Sequence, residues 1–290
     1  MRYLQFFVLI ACLASVGCNT SVSTDDDGSV TISINDDRPA SYHAAPIALR
    51  TWVDARAGTG DAVHWVADGY VYEYPSGKKA FGMKGFDSST VIWPEEEGGL
   101  VTHLTRKTFA YTDLETGEVI TEYNGKKVVP IAYPYQMITY RLEDDKIYGD
   151  VEQGVGDRIQ KIPSKDGIPF RKLGDTYIYN AQVYLDFPLP GGNQYQAWEN
   201  YDFFIHPEGS VKEPHQMTWQ RYGKMPAWAG GGPAIIRLHS WRVEDTAEFD
   251  PQLLSWAKAE KAGWLIPPAD IAEVRAIQKG EHDLPGWAGL

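Results

Sequence analysis

The sequence predicts an all-β protein: an antiparallel β-barrel or strongly curved meander sheet, with two short C-terminal helices. Short runs of alternating apolar and polar residues recur along most of the chain. Turn sequences rich in Gly, Pro, Asn and Asp separate these runs. Helical periodicity is confined to the C-terminal part. About a dozen strands joined by successive hairpins are typical of a barrel or a two-sheet sandwich.

The predicted strands begin with residues 62–74, AVHWVADGYVYEY, in which Tyr70, Tyr72 and Tyr74 share one face. Asn124-Gly125 is a strong signal for a tight hairpin turn between two further runs. The other predicted strands cover 80–86, 103–111, 119–123, 128–131, 136–142, 147–151, 158–162, 170–173, 176–187, 216–222 and 234–243.

Two helices are predicted near the C-terminus. Asp250 can cap the first helix, and Pro251 suits its first turn. The second helix covers residues 268–279, and Gly280 ends it. We expect both helices to cover one end or one face of the sheet, which is a structural role.

The N-terminus predicts export. Residues 1–17, MRYLQFFVLIACLASVG, combine a basic residue with an apolar run too short to span a membrane. The segment from Ala14 to Cys18 resembles a bacterial lipoprotein signal, which implies lipidation of Cys18; the alternative is an ordinary cleaved signal. We therefore predict a signal peptide at 1–17, a flexible acidic tether at 18–45 and a single β-rich domain at 46–290, held at the periplasmic face of a bacterial membrane.

Composition excludes several classes of function. Both cysteines, Cys12 and Cys18, lie in the N-terminal segment, so residues 46–290 contain no disulfide, thiolate nucleophile or cysteine metal ligand. The net charge is -12, with no basic stripe, which argues against a nucleic-acid partner. Anionic lipid surfaces should also repel the protein, so we expect contact with a membrane only through the lipid anchor.

Four groups of residues resemble motifs of one protein family. They are HWV at 64–66 with GYVY at 69–72 and FGMKGF at 81–86; YTDLETGEV at 111–119; ENYDFF at 199–204; and TWQR at 218–221 with PAW at 226–228, GGP at 231–233 and His239. Their order and spacing are similar to those of the DUF1838 family of uncharacterised bacterial and fungal proteins. Two features depart from the family pattern: Gly230-Gly231-Gly232 replaces a less glycine-rich turn, and Ala227 replaces an aromatic or apolar residue. The resemblance covers most of residues 60–245 and implies no established activity.

The stretch from Ala197 to Val243 is the predicted site region, because it contains four of the ten tryptophans and three of the seven histidines. His239, Glu199 and Asp202 are the candidates for proton transfer. Arg221 is a candidate for holding an anion, and it needs a carboxylate partner if it points inward. Strand alternation separates Glu199 from Asp202 and leaves open which of them points inward.

The predicted ligand-binding residues are Arg237, Trp241, Trp219, Tyr201 and Trp228. They predict an aromatic-lined cavity that binds a small apolar or aromatic molecule. The alternative is a cofactor-free acid–base enzyme, a lyase, isomerase or hydrolase, on the same scaffold; a weaker one is carbohydrate stacking. Each of these residues also has an ordinary reading as a core residue, a cross-strand pair or a structural ion pair.

We predict no cofactor and no metal. His206, His215 and His239 lack the His-x-His or His-x-x-Glu-His spacing of common metal sites. No Gly-x-Ser-x-Gly motif indicates a serine nucleophile.

Overall fold

The computed structural model describes residues 18–24, 30–36, 38–96, 98–188 and 194–286. The chain forms two units, residues 1–38 and residues 39–290. In the first, strands β1 (Cys18–Thr24) and β2 (Val30–Asp36) form an antiparallel hairpin with Cys18 opposite Asp36. The segment expected to be a flexible tether thus contains paired strands, because β-branched and small polar residues alternate in it. The signal peptide predicted at 1–17 lies outside the described residues.

The larger unit contains thirteen strands and four α-helices within its described residues. The helices are α1 (Ala40–Ala44), α2 (Ile47–Ala57), α3 (Pro251–Glu260) and α4 (Ile271–Lys279). The strands are β3 (Val63–Glu73), β4 (Lys79–Ile92), β5 (Val101–Thr112), β6 (Glu122–Tyr123), β7 (Lys126–Lys127), β8 (Ile131–Glu143), β9 (Lys146–Gln153), β10 (Gln160–Ile162), β11 (Ile168–Leu173), β12 (Thr176–Pro188), β13 (Gln194–Ile205), β14 (His215–Lys224) and β15 (Pro233–Val243).

Ten of these strands close into an antiparallel barrel, in the order β9-β11-β12-β13-β14-β15-β3-β4-β5-β8. The ring closes because β8 also pairs with β9, with Glu143 opposite Lys146. Closure leaves the sheet without long unpaired edges. The prediction of a β-barrel with two short C-terminal helices is confirmed.

Alternation along each strand sends one set of side chains into the barrel and the other set outward. A bulge changes this parity where β5 pairs with β8, between Thr105 and Lys107. Tyr133 and Gln136 on β8 therefore both face the interior. Tyr135, between them, packs outside against Leu104 and α4.

Helix α2 closes one end of the barrel. Its Trp52 packs against inward-facing Phe203 and Tyr179, with ring centroids 4.7 and 5.0 Å apart. The hydroxyl of Tyr179 donates to the carbonyl of Ala48 at 2.9 Å, and Trp65 Nε1 donates to the carbonyl of Arg56 at 3.2 Å. Burial of this helix among aromatic residues fixes its position in the barrel mouth.

The expectation that helix is confined to the C-terminal part is wrong for α1 and also for the longer α2. Its sequence, IALRTWVDARA, contains two β-branched residues, Thr51 and Val53, near its centre, and Pro46 at the N-cap offers no capping side chain. Tertiary burial of one face stabilises this helix instead. The compact unit begins at Pro39, seven positions before the predicted domain start.

A second aromatic cluster fills the opposite end. Trp228 packs edge-on to Tyr111 at 4.8 Å and to Phe81 at 5.3 Å between ring centroids. Val128 and Ile236 complete this cluster. The interior between the two clusters is therefore closed at both ends by large side chains.

The C-terminal helices cover the outer face of the wall formed by β3, β4, β5 and β8. Asp250 caps α3 as predicted and accepts from the backbone N–H of Leu253 at 3.1 Å. Leu253 packs with Phe86 on the outer face of β4, and Val274 of α4 packs with Leu104 of β5. These helices bury apolar side chains that a solvated barrel wall would expose.

We expect Trp52→Ala to lower the free energy of unfolding by about 3–5 kcal/mol, because it removes a buried tryptophan from the barrel mouth. Urea denaturation followed by circular dichroism measures the effect. Trp198→Ala is the matched control, since Trp198 is only partly buried on the outer face of β13, and its cost should be clearly smaller. Equal costs would show that α2 does not stabilise the barrel as a plug.

Candidate functional site

The barrel interior contains a cavity of about 220 Å³ between the two aromatic clusters. Its wall is mostly aromatic and aliphatic. The apolar part comes from nearly every strand and from α2, and includes Trp52, Trp65, Phe109, Ile131, Ile138, Val151, Ala181, Val183, Leu185, Phe203, Met217, Trp219 and Leu238.

A group of buried charges occupies one side of this cavity. Asp87 of β4 lies 3.4 Å from Arg56 of α2 and 3.5 Å from Lys107 of β5, measured from carboxylate oxygen Oδ2 to nitrogen. Its other oxygen accepts from Ser89 Oγ at 2.8 Å and from the hydroxyl of Thr105. Burial alone would raise the pKa of Asp87, but Lys107 and Arg56 outweigh this and hold the pKa well below its ordinary value.

Lys107 points into the cavity from β5. Burial lowers the pKa of its amino group, while the carboxylates of Asp87 and Glu199 favour the protonated form, and the net direction is downward. Its neighbour Tyr133 has a pKa raised by burial and by Glu199, so the phenol keeps its proton and can donate a hydrogen bond.

A second polar group includes Glu199 on β13 and Arg221 on β14, which are directly opposite each other in the sheet. Arg221 Nε lies 3.5 Å from Glu199 Oε1, and the guanidinium also donates to the hydroxyl of Tyr195. The hydroxyl of Tyr201 donates to the Glu199 carboxylate. Burial and the adjacent carboxylate raise the pKa of Tyr201 well above its usual range.

His103 joins the charged side of the barrel to the end closed by α2. Its Nε2 lies 2.9 Å from Ser89 Oγ and its Nδ1 lies 3.2 Å from the hydroxyl of Tyr140. Burial and the charge of Arg56 hold the pKa of His103 well below its ordinary value, so the ring is neutral at neutral pH. A neutral ring with both nitrogens in contact with hydroxyls orients the network and carries no charge.

The structure brings four of the predicted site residues together. Glu199, Arg221, Tyr201 and Trp219 all line the cavity. The rings of Tyr201 and Trp219 are nearly parallel, with centroids 6.0 Å apart. The carboxylate that faces Arg221 is thus Glu199, one of the two alternatives that strand spacing left open.

The other predicted polar residues lie on the outer face. On β15, Leu238 points into the cavity, so the flanking residues Arg237 and His239 point outward and are exposed. Trp241 lies on the same outer face and packs at the edge of the cluster under α3. Asp202 likewise faces outward, where it accepts hydrogen bonds from Asn180 and from Asn200 Nδ2, the latter at 2.9 Å.

His239 and Asp202 do not share the cavity with Glu199, so the predicted proton-transfer set is not assembled there. The face of β15 that combines Arg237, His239 and Trp241 is the solvent side, because the aliphatic residues at alternate positions fill the interior. Trp228 belongs to the aromatic cluster that closes the barrel end, adjacent to the cavity.

Sequence reasoning did not single out Arg56, Asp87 or Lys107. A usable signal exists in β5, where His103, Thr105 and Lys107 occupy alternate positions of a strand whose other face carries Leu104. A polar face on a strand that is buried on both sides indicates an internal polar site.

The barrel wall has few paired backbone positions between β9 and β12. Strand β11 pairs with β9 only at Ile168 and Pro169, and with β12 only over 170–173. A second cavity of about 390 Å³ lies there, lined by 160–166 and by 181–186. It shares Val183 and Leu185 with the internal cavity. We call this region, residues 160–166 and 181–186, the side portal.

Burial along β12 decreases toward the side portal. Tyr179 is fully buried, whereas Val183 and Leu185 on the same inward face are partly exposed, and Tyr184 between them is exposed. On this side of the barrel the internal cavity and the second cavity share lining residues, which makes it the candidate route for a small molecule to the interior.

Among the residues that the structure describes, no three His, Cys, Asp or Glu side chains are grouped so that they could hold a metal ion. No helix in this part of the chain has both the length and the apolar character needed to cross a bilayer.

We expect Asp87→Asn to lower the free energy of unfolding by about 3–5 kcal/mol at neutral pH, because it leaves Arg56 and Lys107 without their carboxylate. Since the pKa of Asp87 in the folded state lies below its ordinary value of 3.8, the ionised form stabilises the fold above that pH. This contribution shrinks as the pH falls through and below it. Urea denaturation at pH 7 and pH 3 should therefore show a smaller difference between variant and wild type at pH 3.

Asp175→Asn is the control for this charge removal. Asp175 is largely exposed and lies 3.8 Å from Lys172, so its replacement should leave stability nearly unchanged at both pH values. A loss for Asp87→Asn no larger than for the control would refute the stabilising role of the buried carboxylate.

Comparison with models of protein families, with curated proteins and with solved structures found no match to this chain. The resemblance to the DUF1838 family therefore stays a prediction, and the function of this barrel has to be argued from its own geometry.

Proposed function

We propose that the barrel binds a small, largely apolar or aromatic molecule in its internal cavity. The observation that carries this proposal is the cavity itself, whose wall is mainly aromatic and aliphatic with a few polar groups. Pockets of this composition are the usual sites for small organic ligands. The side portal provides the route by which such a molecule reaches the interior.

Trp219 supports the proposal. Its ring lines the cavity between Tyr201 and Phe109, with centroids 6.0 and 5.6 Å away. Its indole Nε1 is buried, and among the described residues it has no hydrogen-bond partner. A buried donor without a partner is costly, whereas the ring faces of Trp219, Tyr201 and Phe109 offer an aromatic ligand a surface to pack against.

The acid–base alternative retains fewer of its residues. Glu199 and Arg221 remain inside, but His239 and Asp202 lie on the outer face, so the predicted base is separated from the cavity by the barrel wall. We therefore propose that the protein binds a ligand, in preference to the proposal that it catalyses an acid–base reaction. Chemical change of a bound compound, followed by NMR over time, would favour the enzyme instead.

Ala181→Trp should weaken ligand binding at least about tenfold, because Ala181 lines the cavity and an indole there would occupy ligand space. The probe is the neutral fluorophore N-phenyl-1-naphthylamine, whose emission rises in an apolar pocket. Gln220→Trp places the same side chain on the outer face of β14, away from the side portal, and should bind as wild type does. His239→Ala should also bind normally.

Val183→Trp, with the same control Gln220→Trp, repeats the comparison if Ala181→Trp fails to fold by circular dichroism. Absence of saturable binding by the wild-type protein, or equal binding by the inward and outward variants, would overturn the proposal.

We also propose that the protein is exported and held at the periplasmic face of a bacterial membrane by a lipid on Cys18. The sequence of residues 1–18 supports this. Cys18→Ser should move the protein from the membrane fraction to the soluble fraction of expressing cells, measured by fractionation and immunoblotting. Cys12→Ser is the control and should stay with the membrane. Membrane retention of Cys18→Ser would exclude this anchor.

A further inference from the structure

The charged residues that line the cavity do not cancel. Arg56, Lys107 and Arg221 contribute three positive charges, whereas Asp87 and Glu199 contribute two negative ones. The lining therefore carries one excess positive charge, inside a protein whose net charge is -12. An excess buried charge is unfavourable unless a counter-charge reaches it.

The excess is centred on Lys107. Asp87 Oδ2 is shared, at 3.4 Å from Arg56 and 3.5 Å from Lys107, so one carboxylate serves two cations. Arg56 is fixed by its structural role, with its guanidinium 5.3 Å from the ring centroid of Trp65. Lys107 extends from the wall into the cavity and can accept a further anionic partner.

The charges around Asp87 and the apolar wall near β12 lie on different sides of the barrel, and the ion pair of Glu199 and Arg221 lies between them on β13 and β14. In the ring of ten strands, β4, which carries Asp87, is five strands away from β12 and thus opposite it. Strand β12 and its surroundings contribute Ala181, Val183, Leu185 and Ile162 to the cavity. A molecule entering by the side portal therefore meets apolar side chains and the paired Glu199 and Arg221 before it reaches Lys107.

We propose that the ligand is an apolar or aromatic monocarboxylate, whose carboxylate lies beside Lys107 and whose body extends toward β12. This inference rests on the proposed binding function and adds the charge of the ligand. One excess positive charge matches one carboxylate, whereas a phosphate dianion would leave an uncompensated negative charge. Tyr133, which keeps its proton, is a further donor facing the same space.

The test compares two probes of matched shape, 2-naphthoate and neutral 2-naphthylmethanol, by displacement of N-phenyl-1-naphthylamine from the full chain. The wild-type protein should bind the carboxylate at least about tenfold more tightly, as expected for a charge-assisted hydrogen bond in a buried site. Lys107→Met, which removes the charge and keeps an unbranched side chain one atom shorter, should weaken 2-naphthoate binding about tenfold and change 2-naphthylmethanol binding less than about threefold.

Glu199→Gln gives the opposite change of charge and covers the case in which Lys107→Met does not fold. It raises the excess to two positive charges and should tighten 2-naphthoate binding while leaving 2-naphthylmethanol within about threefold.

The outcomes separate this inference from the proposed function. If the neutral compound binds at least as tightly as the carboxylate, or if Lys107→Met weakens both equally, the anionic ligand is excluded and the binding function stands. If neither compound nor the fluorophore binds to the wild-type protein, the proposed function fails first.

Discussion

The barrel interior depends on the buried carboxylate of Asp87. Arg56 of helix α2 and Lys107 of strand β5 both contact the same oxygen of this carboxylate. Ser89 and Thr105 satisfy its second oxygen. Such an arrangement stabilises less than an apolar core of equal volume would, but losing one member is severe because it leaves charges buried without partners. This contact fixes the positions of α2 and β5 relative to β4 more than it adds to the net stability of the fold.

The architecture was predictable because strand alternation and turn chemistry are local properties. The Asn124-Gly125 turn lies between β6 and β7, and the cap at Asp250 begins α3, as the sequence indicates. The parity of each strand was not predictable, because a period of two assigns residues to faces without saying which face is inside. For β15 that missing choice decides whether His239 is a cavity residue or a surface residue. Helix α2, which closes one end of the barrel, was not predicted for another reason. It is stabilised by burial against Phe203 and Tyr179, which are far away in sequence.

The candidate site was predictable in part. If Glu199 and Arg221 are buried, each needs a partner of opposite charge. In the barrel they are cross-strand neighbours. Asp87 and Lys107 each lie in an otherwise ordinary strand, about 20 residues apart, and only the pairing of β4 with β5 makes them neighbours. The charged group that they form depends on three elements, α2, β4 and β5, so no single stretch of sequence predicts it.

The short pairing of β11 with β9 has a kinetic consequence. A closed ring of strands resists opening as a whole, but two paired positions are a small barrier to separating its weakest seam. Exchange of contents can then proceed by local opening at that seam, at a rate independent of global unfolding. Residence time and thermal stability thereby become separate properties of this fold, each adjustable through different residues.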